Sequence, residues 1–362
     1  MKWKESAPKT RKSTADNLIA ISRAVFHGRP GEPERRLMGV ALRLAFNPAA
    51  RARPISVEIE KVTRWLDRSS PTVSEVAKPV KLRHLLSEIE RTANGDRCAK
   101  NTIRLRRTTL RNAMDYAVEK GLLAVNPVGE MKVKRNKVAL REIDQRSVVN
   151  PVQARTLLRF VEDDSPRLLA FFASMYYAAL RPEEAVNLRE QNLTLPDEGW
   201  GEIALRRAAP EVGAEWTDHG TPGEERELKH RGVGEGRIVP CSPALVGLLR
   251  AHIARYGTTP DGRLFRAMRS DAPLSSSVYG RAWERARTAT FTEQVLASPL
   301  AKRPYDLRHA AVSTWLNATG DPTRVAEWAG HTVSVLLRVY AKCLDGGEAE
   351  ARRRVAERLD GA

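Results

Sequence analysis

The chain has 362 residues, 42% hydrophobic and 29% charged, with a formal net charge of +17 at pH 7, a length that accommodates two domains of ordinary size, each with its own core. Three cysteines, Cys98, Cys241 and Cys343, stand far apart with no C-x-x-C spacing, which speaks against a disulfide framework or a zinc site and fits a reducing cytosol. The longest apolar stretch, 168–180, is too short to span a bilayer, no signal-peptide pattern opens the chain, and no HExxH, GxxxxGKS/T or GxGxxG motif offers a seat for a metal or nucleotide.

The distribution of charge says more than its total. Residues 1–147 hold 32 Lys and Arg against 16 Asp and Glu, whereas 148–362 hold 29 against 28. The excess sits in the first part, as expected of a part that grips a polyanion. No long basic amphipathic helix points to a membrane surface, so nucleic acid is the expected partner.

In chain order, the opening 1–17 is basic and polar and is expected to be mobile. Helical periods follow around 15–26, 34–46, 56–66 and 80–93, with little β-branched alternation, so this half reads as a helical bundle. Its best-defined helix begins at Asn101-Thr102 and stops at Gly121, with Asn126-Pro127 beyond. Ile103, Leu110, Met114 and Ala117 line one side; Arg104, Arg107 and Arg111 line another, with Arg106 nearby. Apart from Asp115, one turn beyond Arg111, this stripe lacks acidic partners one turn away and would repel itself, which favours phosphate contact over plain solvation. A basic run, Lys132, Lys134, Arg135, Lys137 and Arg141, reads as a linker crossing a DNA groove or backbone, and the domain boundary is expected near residue 146.

Asn150-Pro151, an N-cap and first-turn pair, opens the second domain. A buried helix at 168–180 leads to a break at Pro182, with Arg181 at the break and Glu183 and Glu184 as its possible partners. The region 200–240 is the β region: short alternating pieces at 201–206 and 237–240 flank a polar excursion, 209–223, that reads as an insertion loop. Two amphipathic helices follow, the second carrying Arg281, Arg285 and Arg287, which either touch DNA or form a solvated face. From Leu307 to Tyr340 three short helices are predicted. Gly320 ends the first, Asp321-Pro322 and Gly330 bound the second, and Thr332 caps the third. Arg308, His331 and Tyr340 punctuate them: a cation, an imidazole and a phenol that suggest a phosphate held beside a nucleophile.

The string YDLRH, then GH, then VYAK nine residues beyond that His, resembles the C-terminal active-site region of the tyrosine recombinase (phage integrase) family. The Leu-Arg of 180–181 with Glu184, the stretch LKHRGVGEGRIVP and the segment NAMDYAVEKGLLAVNPV resemble that family's first Arg motif, its β-hairpin and the end of its core-binding domain. The resemblance implies a mainly α fold with a small β-sheet, built as a two-domain C-shaped DNA clamp: a helical core-binding domain at 1–146 and a catalytic domain at 147–362 with a tail helix. It implies Arg181, Lys229, Arg308, His331 and Tyr340 as catalytic residues, with Tyr340 the nucleophile, Lys229 the general acid and Glu184 supporting, and neither metal nor cofactor. Where the family usually has the His of His-x-x-Arg, this chain has Tyr305. Tyr305 either supports the site, through a phosphate oxygen or Arg308, or packs beside Pro304. His309 is common in such sequences but is not the motif's catalytic His. The implied activity is site-specific DNA integration in the bacterial cytosol on double-stranded attachment sites, by a homotetramer on paired sites, with an accessory directionality factor. A type IB topoisomerase and a non-catalytic DNA-binding protein of the same fold are the alternatives.

Overall fold

The computed structural model describes residues 5–50, 54–92, 94–130, 144–221, 223–228, 235–340 and 348–359. Lys132, Lys134, Arg135, Lys137 and Arg141 of the basic run, and Lys229, lie outside the described residues. The chain forms two compact units: Met1–Val138 with Val212–Glu224, and Ala139–Glu211 with Glu225–Ala362.

The first unit is helical: α1 (Pro8–Phe26), α2 (Arg35–Phe46), α3 (Val57–Ser69), α4 (Val73–Ala77), α5 (Pro79–Glu88), α6 (Lys100–Glu119) and α7 (Pro127–Glu130). Its apolar residues gather into separate clusters. Ile19, Phe26, Met38, Leu42, Ile59, Val62 and Leu66 close one cluster, and Leu82, Leu85, Leu86, Ile89, Leu110 and Met114 a second. One expectation needs correction. The opening segment is not mobile from Pro8 onward, because Pro8 sits in the first turn of α1 and Arg11 is buried. The polar excursion is a loop, as expected, and from Val212 onward it is packed within this unit. Trp216 is buried with Val212 and Ala15, while Arg11 donates to the Trp216 carbonyl (3.2 Å) and to Asp218, and Asn47 Nδ2 donates to the Glu215 carbonyl at 2.8 Å. A buried guanidinium is tolerated only when paired and hydrogen-bonded, and Asp218 supplies that pairing.

The second unit contains α8 (Pro151–Asp164), α9 (Leu169–Tyr177), α10 (Pro182–Val186), β1 (Leu193–Thr194), β2 (Gly201–Leu205), β3 (Arg207–Ala208), β4 (Arg226–Glu227), β5 (Arg237–Cys241), α11 (Pro243–Tyr256), α12 (Ser276–Thr290), α13 (Glu293–Ala297), α14 (Asp306–Thr319), α15 (Pro322–Ala329), α16 (Val333–Tyr340) and α17 (Glu348–Leu359). Its centre is the apolar helix α9, packed by α8, α11 and α14, with Phe171, Phe172 and Met175 fully buried. The antiparallel sheet runs β1-β2-β5, with Ile203 opposite Val239 and Leu205 opposite Arg237; β3 pairs with β4. The predicted caps are present. Asn150 accepts from the Gln153 amide at 2.9 Å, Asp321 from the Arg324 amide at 2.9 Å, and Thr332 from the Val335 amide at 3.2 Å; Gly320 and Gly330 take left-handed backbone.

The arginines of α12 resolve separately. Arg287 is buried and donates to the carbonyls of Leu296 (2.8 Å), Leu300 (2.9 Å) and Ser298 (3.0 Å), so it holds the chain after α13 and is not a DNA contact. Arg285 pairs with Asp164 at 2.7 Å, and Arg281 is exposed.

Candidate active site

The site grows from the end of α9. Ala179 takes a left-handed backbone (φ 49°), unusual for a residue with a Cβ, and turns the chain so that Arg181 stands at the head of α10. Glu184, one turn into α10, accepts from the Arg181 backbone amide at 2.8 Å and from its Nη1 at 2.8 Å. Of the two expected partners, Glu184 is the one engaged. It also accepts both Nη groups of Arg237 at 2.7 Å, and Arg308 Nη1 lies 3.9 Å away. One buried carboxylate thus faces three guanidinium groups, which leaves a surplus of positive charge. Burial pushes the Glu184 carboxyl up, but Arg237, Arg181 and Arg308 together hold it well below the usual carboxylate range.

Carbonyls from the helix ends complete the frame. Arg181 Nη2 donates to Gly330 O at 2.8 Å and Arg237 Nε to Trp328 O at 3.0 Å, while Arg308 donates to the carbonyls of Ala179 and Ala329. Gly330 must be glycine here: its φ is +64°, and a Cβ would lie 3.0 Å from Arg237 Nη1 and 3.3 Å from Arg181 Nη1. Arg308 is wholly buried, and burial first, then the Arg181 charge, lower its pKa.

His331 follows Gly330 and meets Arg308, with Nε2 and Nη2 3.0 Å apart. A guanidinium only donates, so His331 Nε2 accepts and the neutral ring carries its proton on Nδ1. Burial, then Arg308, Arg181 and Arg237, bring this histidine down to about 3, so it is neutral at physiological pH. Among the described residues, its buried Nδ1 has no hydrogen-bond partner, and neither has the buried Nε of Arg308. Two unmatched donors in direct neighbours, within a cluster of surplus positive charge, constitute the chemistry of an anion site.

Tyr340 ends α16 fully buried, its ring 5.9 Å from that of His331 at an interplanar angle of 28°. Its hydroxyl lies 2.9 Å from His309 Nδ1. Tyr305 precedes α14 with its ring 5.0 Å from His309 and 6.0 Å from the Arg308 guanidinium. Arg181, Glu184, Arg308, His331, Tyr340 and Tyr305 therefore share one site. Sequence reasoning missed two members. Arg237 was legible only as the first residue of a strand, although it falls at an inward position of the alternation. His309 was set aside because it lies outside the motif.

The DNA-binding candidates on α6 do not behave alike. Arg107 pairs with Glu90, and Arg106 Nη1 donates to the carbonyls of Ile89 and Arg91, both at 2.9 Å. The missing acidic partner comes from another helix's end, so self-repulsion is no argument for phosphate contact at Arg107. Arg104, bonded to Asn101 at 3.0 Å, and Arg111 are exposed.

The family model described as phage integrase family matches residues 147–345. Among solved structures, the Tn1549 transposon integrase in complex with a circular intermediate DNA is similar at a TM-score of 0.57 and 16% identity, over 94% of this chain and 99% of that one. The XerH site-specific recombinase bound to its difH substrate gives 0.52 and 13%, over 96% and 95%. The lambda integrase bound to DNA gives 0.50 and 13%, over 84% and 94%. At such identities the likeness establishes the fold. Nothing among curated proteins matches the chain. The chain belongs to the phage integrase family. Membership makes it a tyrosine-type site-specific recombinase, an enzyme that breaks and rejoins DNA strands.

Proposed function

We propose that this recombinase cuts double-stranded attachment sites through a 3′-phosphotyrosyl link to Tyr340. The observation that carries the reading is the pair of donors unmatched among the described residues, Arg308 Nε and His331 Nδ1, in the arginine cluster beside Tyr340. In the reaction Tyr340 Oη bonds phosphorus, the bond to the 5′-oxygen breaks, and a free 5′-hydroxyl remains. Arg181 and Arg308 neutralise the non-bridging oxygens as charge builds, and His331 donates to the same phosphate. Glu184, with Arg237, fixes the Arg181 fork before DNA arrives. Lys229, outside the described residues, is proposed to protonate the leaving oxygen. Tyr305 supports Arg308, whose guanidinium its ring faces. Because the ester conserves bond energy, rejoining needs no nucleotide.

Residues 1–146 are proposed as the core-binding domain and 147–362 as the catalytic domain. The enzyme is proposed to act as a homotetramer on paired sites, with an accessory factor setting direction. The likeness to the Tn1549 transposon integrase, held in its own structure on a circular intermediate DNA, supports integration of a mobile element. The family match disfavours the topoisomerase reading. Incubating two differently labelled DNA sites in one tube tests it: recombinant joints are expected, and relaxation of supercoils with no joint under any condition would refute recombination.

A further inference from the structure

A phenol with an ordinary pKa of about 10 is protonated at neutral pH, so the nucleophile needs a proton acceptor. Where the family resemblance leads one to expect an imidazole, this chain has Tyr305, a poor base. One helical turn further along α14, however, His309 Nδ1 stands 2.9 Å from the Tyr340 hydroxyl. We propose that His309 accepts the Tyr340 proton, and that the Tyr305 ring, packed edge-on against the imidazole at 5.0 Å, steadies it. The inference rests on the reading of Tyr340 as nucleophile.

Among the described groups around Tyr340, His309 is the imidazole placed to accept. His331 is occupied: its Nε2 accepts from Arg308, and its ring lies stacked beside the Tyr340 ring, with Nδ1 carrying the proton. Arg308 and His309 are consecutive on α14 and serve different partners, the guanidinium His331 and the imidazole Tyr340. Burial, then Arg308 and Arg303, bring His309 down to about 3, which keeps an acceptor lone pair available at neutral pH. A scissile phosphate beside Arg308 offsets the cationic repulsion that opposes protonation. The step balances. As Oη–P forms and P–O5′ breaks, the Oη proton passes to Nδ1, giving an imidazolium, and a separate acid supplies the proton taken by O5′. Rejoining returns the imidazolium proton to Tyr340.

The test is single-turnover cleavage by the full chain of a nicked duplex spanning the site that the wild-type enzyme is first mapped to cut. Each variant is assayed on the natural phosphodiester and on a 5′-bridging phosphorothiolate, whose sulfur leaves without needing a proton. His309→Ala should be slower by about 10²- to 10⁴-fold, the range of a general base. The defect should persist on the sulfur substrate, and added imidazole should recover part of the rate. His309→Asn, which keeps hydrogen-bonding capacity but no basicity, should be comparably slow, and it carries the comparison should the alanine variant fail to fold. An asparagine variant within a few-fold of wild type, or rescue by sulfur, would overturn the proposal while wild-type adduct on Tyr340 stands. Adduct formation by Tyr340→Phe would instead overturn the nucleophile, and this inference with it.

Discussion

Glu184→Gln is the most searching perturbation of the site's frame. The side chain keeps its shape but loses its charge, and the carboxylate that accepts four side-chain and backbone donors from Arg181 and Arg237 becomes an amide. Glu184, Arg237 and Arg308 are each buried to within a few per cent, so water cannot replace what is lost. Removing one partner of a buried ion pair typically costs about 3–5 kcal/mol, because the remaining charges stay buried and unpaired. For a unit the size of the second one, a kcal/mol is worth about 2–4 °C in Tm, so its transition should fall by about 6–20 °C. Asp164→Asn removes the exposed pair with Arg285, and should shift it by no more than about 2–4 °C, since exposed pairs rarely contribute more than about 1 kcal/mol. Sulfate, an anion that the freed guanidinium groups can bind, should restore more stability to the glutamine variant than to wild type. Scanning calorimetry of the three proteins reads all of this. A Glu184→Gln transition as close to wild type as that of Asp164→Asn would refute the claim that one carboxylate holds the arginines together.

Three further outcomes follow from the same chemistry. Lys229→Ala should slow cleavage of ordinary DNA by about 10²- to 10⁴-fold and recover on the 5′-bridging phosphorothiolate; absence of rescue would assign the acid to another group. Replacing the exposed Arg104 and Arg111 by Ala in the full chain should lower the slope of log K against log salt by about 0.9 for each phosphate contact removed, and an unchanged slope would take them off the DNA. His309 and His331, both lowered to about 3, stay neutral in the folded protein at pH values where unfolded imidazoles, near about 6.5, take up protons. Their contribution to stability is therefore complete above about pH 6.5 and is lost progressively as pH falls towards 3, by at most about 1.4 kcal/mol per pH unit each. Between pH 7.5 and 5.5 the Tm of wild type should fall more steeply than that of His309→Asn; parallel curves would contradict the buried neutral imidazole.

What was legible in the sequence was local. Caps at Asn150, Asp321 and Thr332, glycines at 320 and 330, and the apolar run of α9 each specify their own few residues, and the helices formed accordingly. Arg181 and Glu184 are three residues apart and could be paired from the sequence; Arg308, His331 and Tyr340 were legible through spacing. What escaped depends on contacts between distant residues. Arg237 reaches Glu184 across 53 positions, and Arg11 reaches Asp218 across 207, so nothing in either neighbourhood announces the partner. The partner of Arg107 escaped for the same reason, because Glu90 neutralises it from outside its own helix. His309 was overlooked because a motif directs attention to its fixed positions, whereas the contact with Tyr340 depends on how α14 meets α16.

The central claim is that Tyr340 is the atom-bonding nucleophile of the cluster built by Arg181, Glu184, Arg237, Arg308 and His331. Trapping the covalent protein–DNA adduct on a nicked duplex, digesting it and sequencing the DNA-bearing peptide tests that claim most directly. The adduct should map to Tyr340, with the DNA joined through its 3′-phosphate, and Tyr340→Phe should bind DNA as wild type does and form none. An adduct on any other residue, or wild-type yield from Tyr340→Phe, would contradict the account.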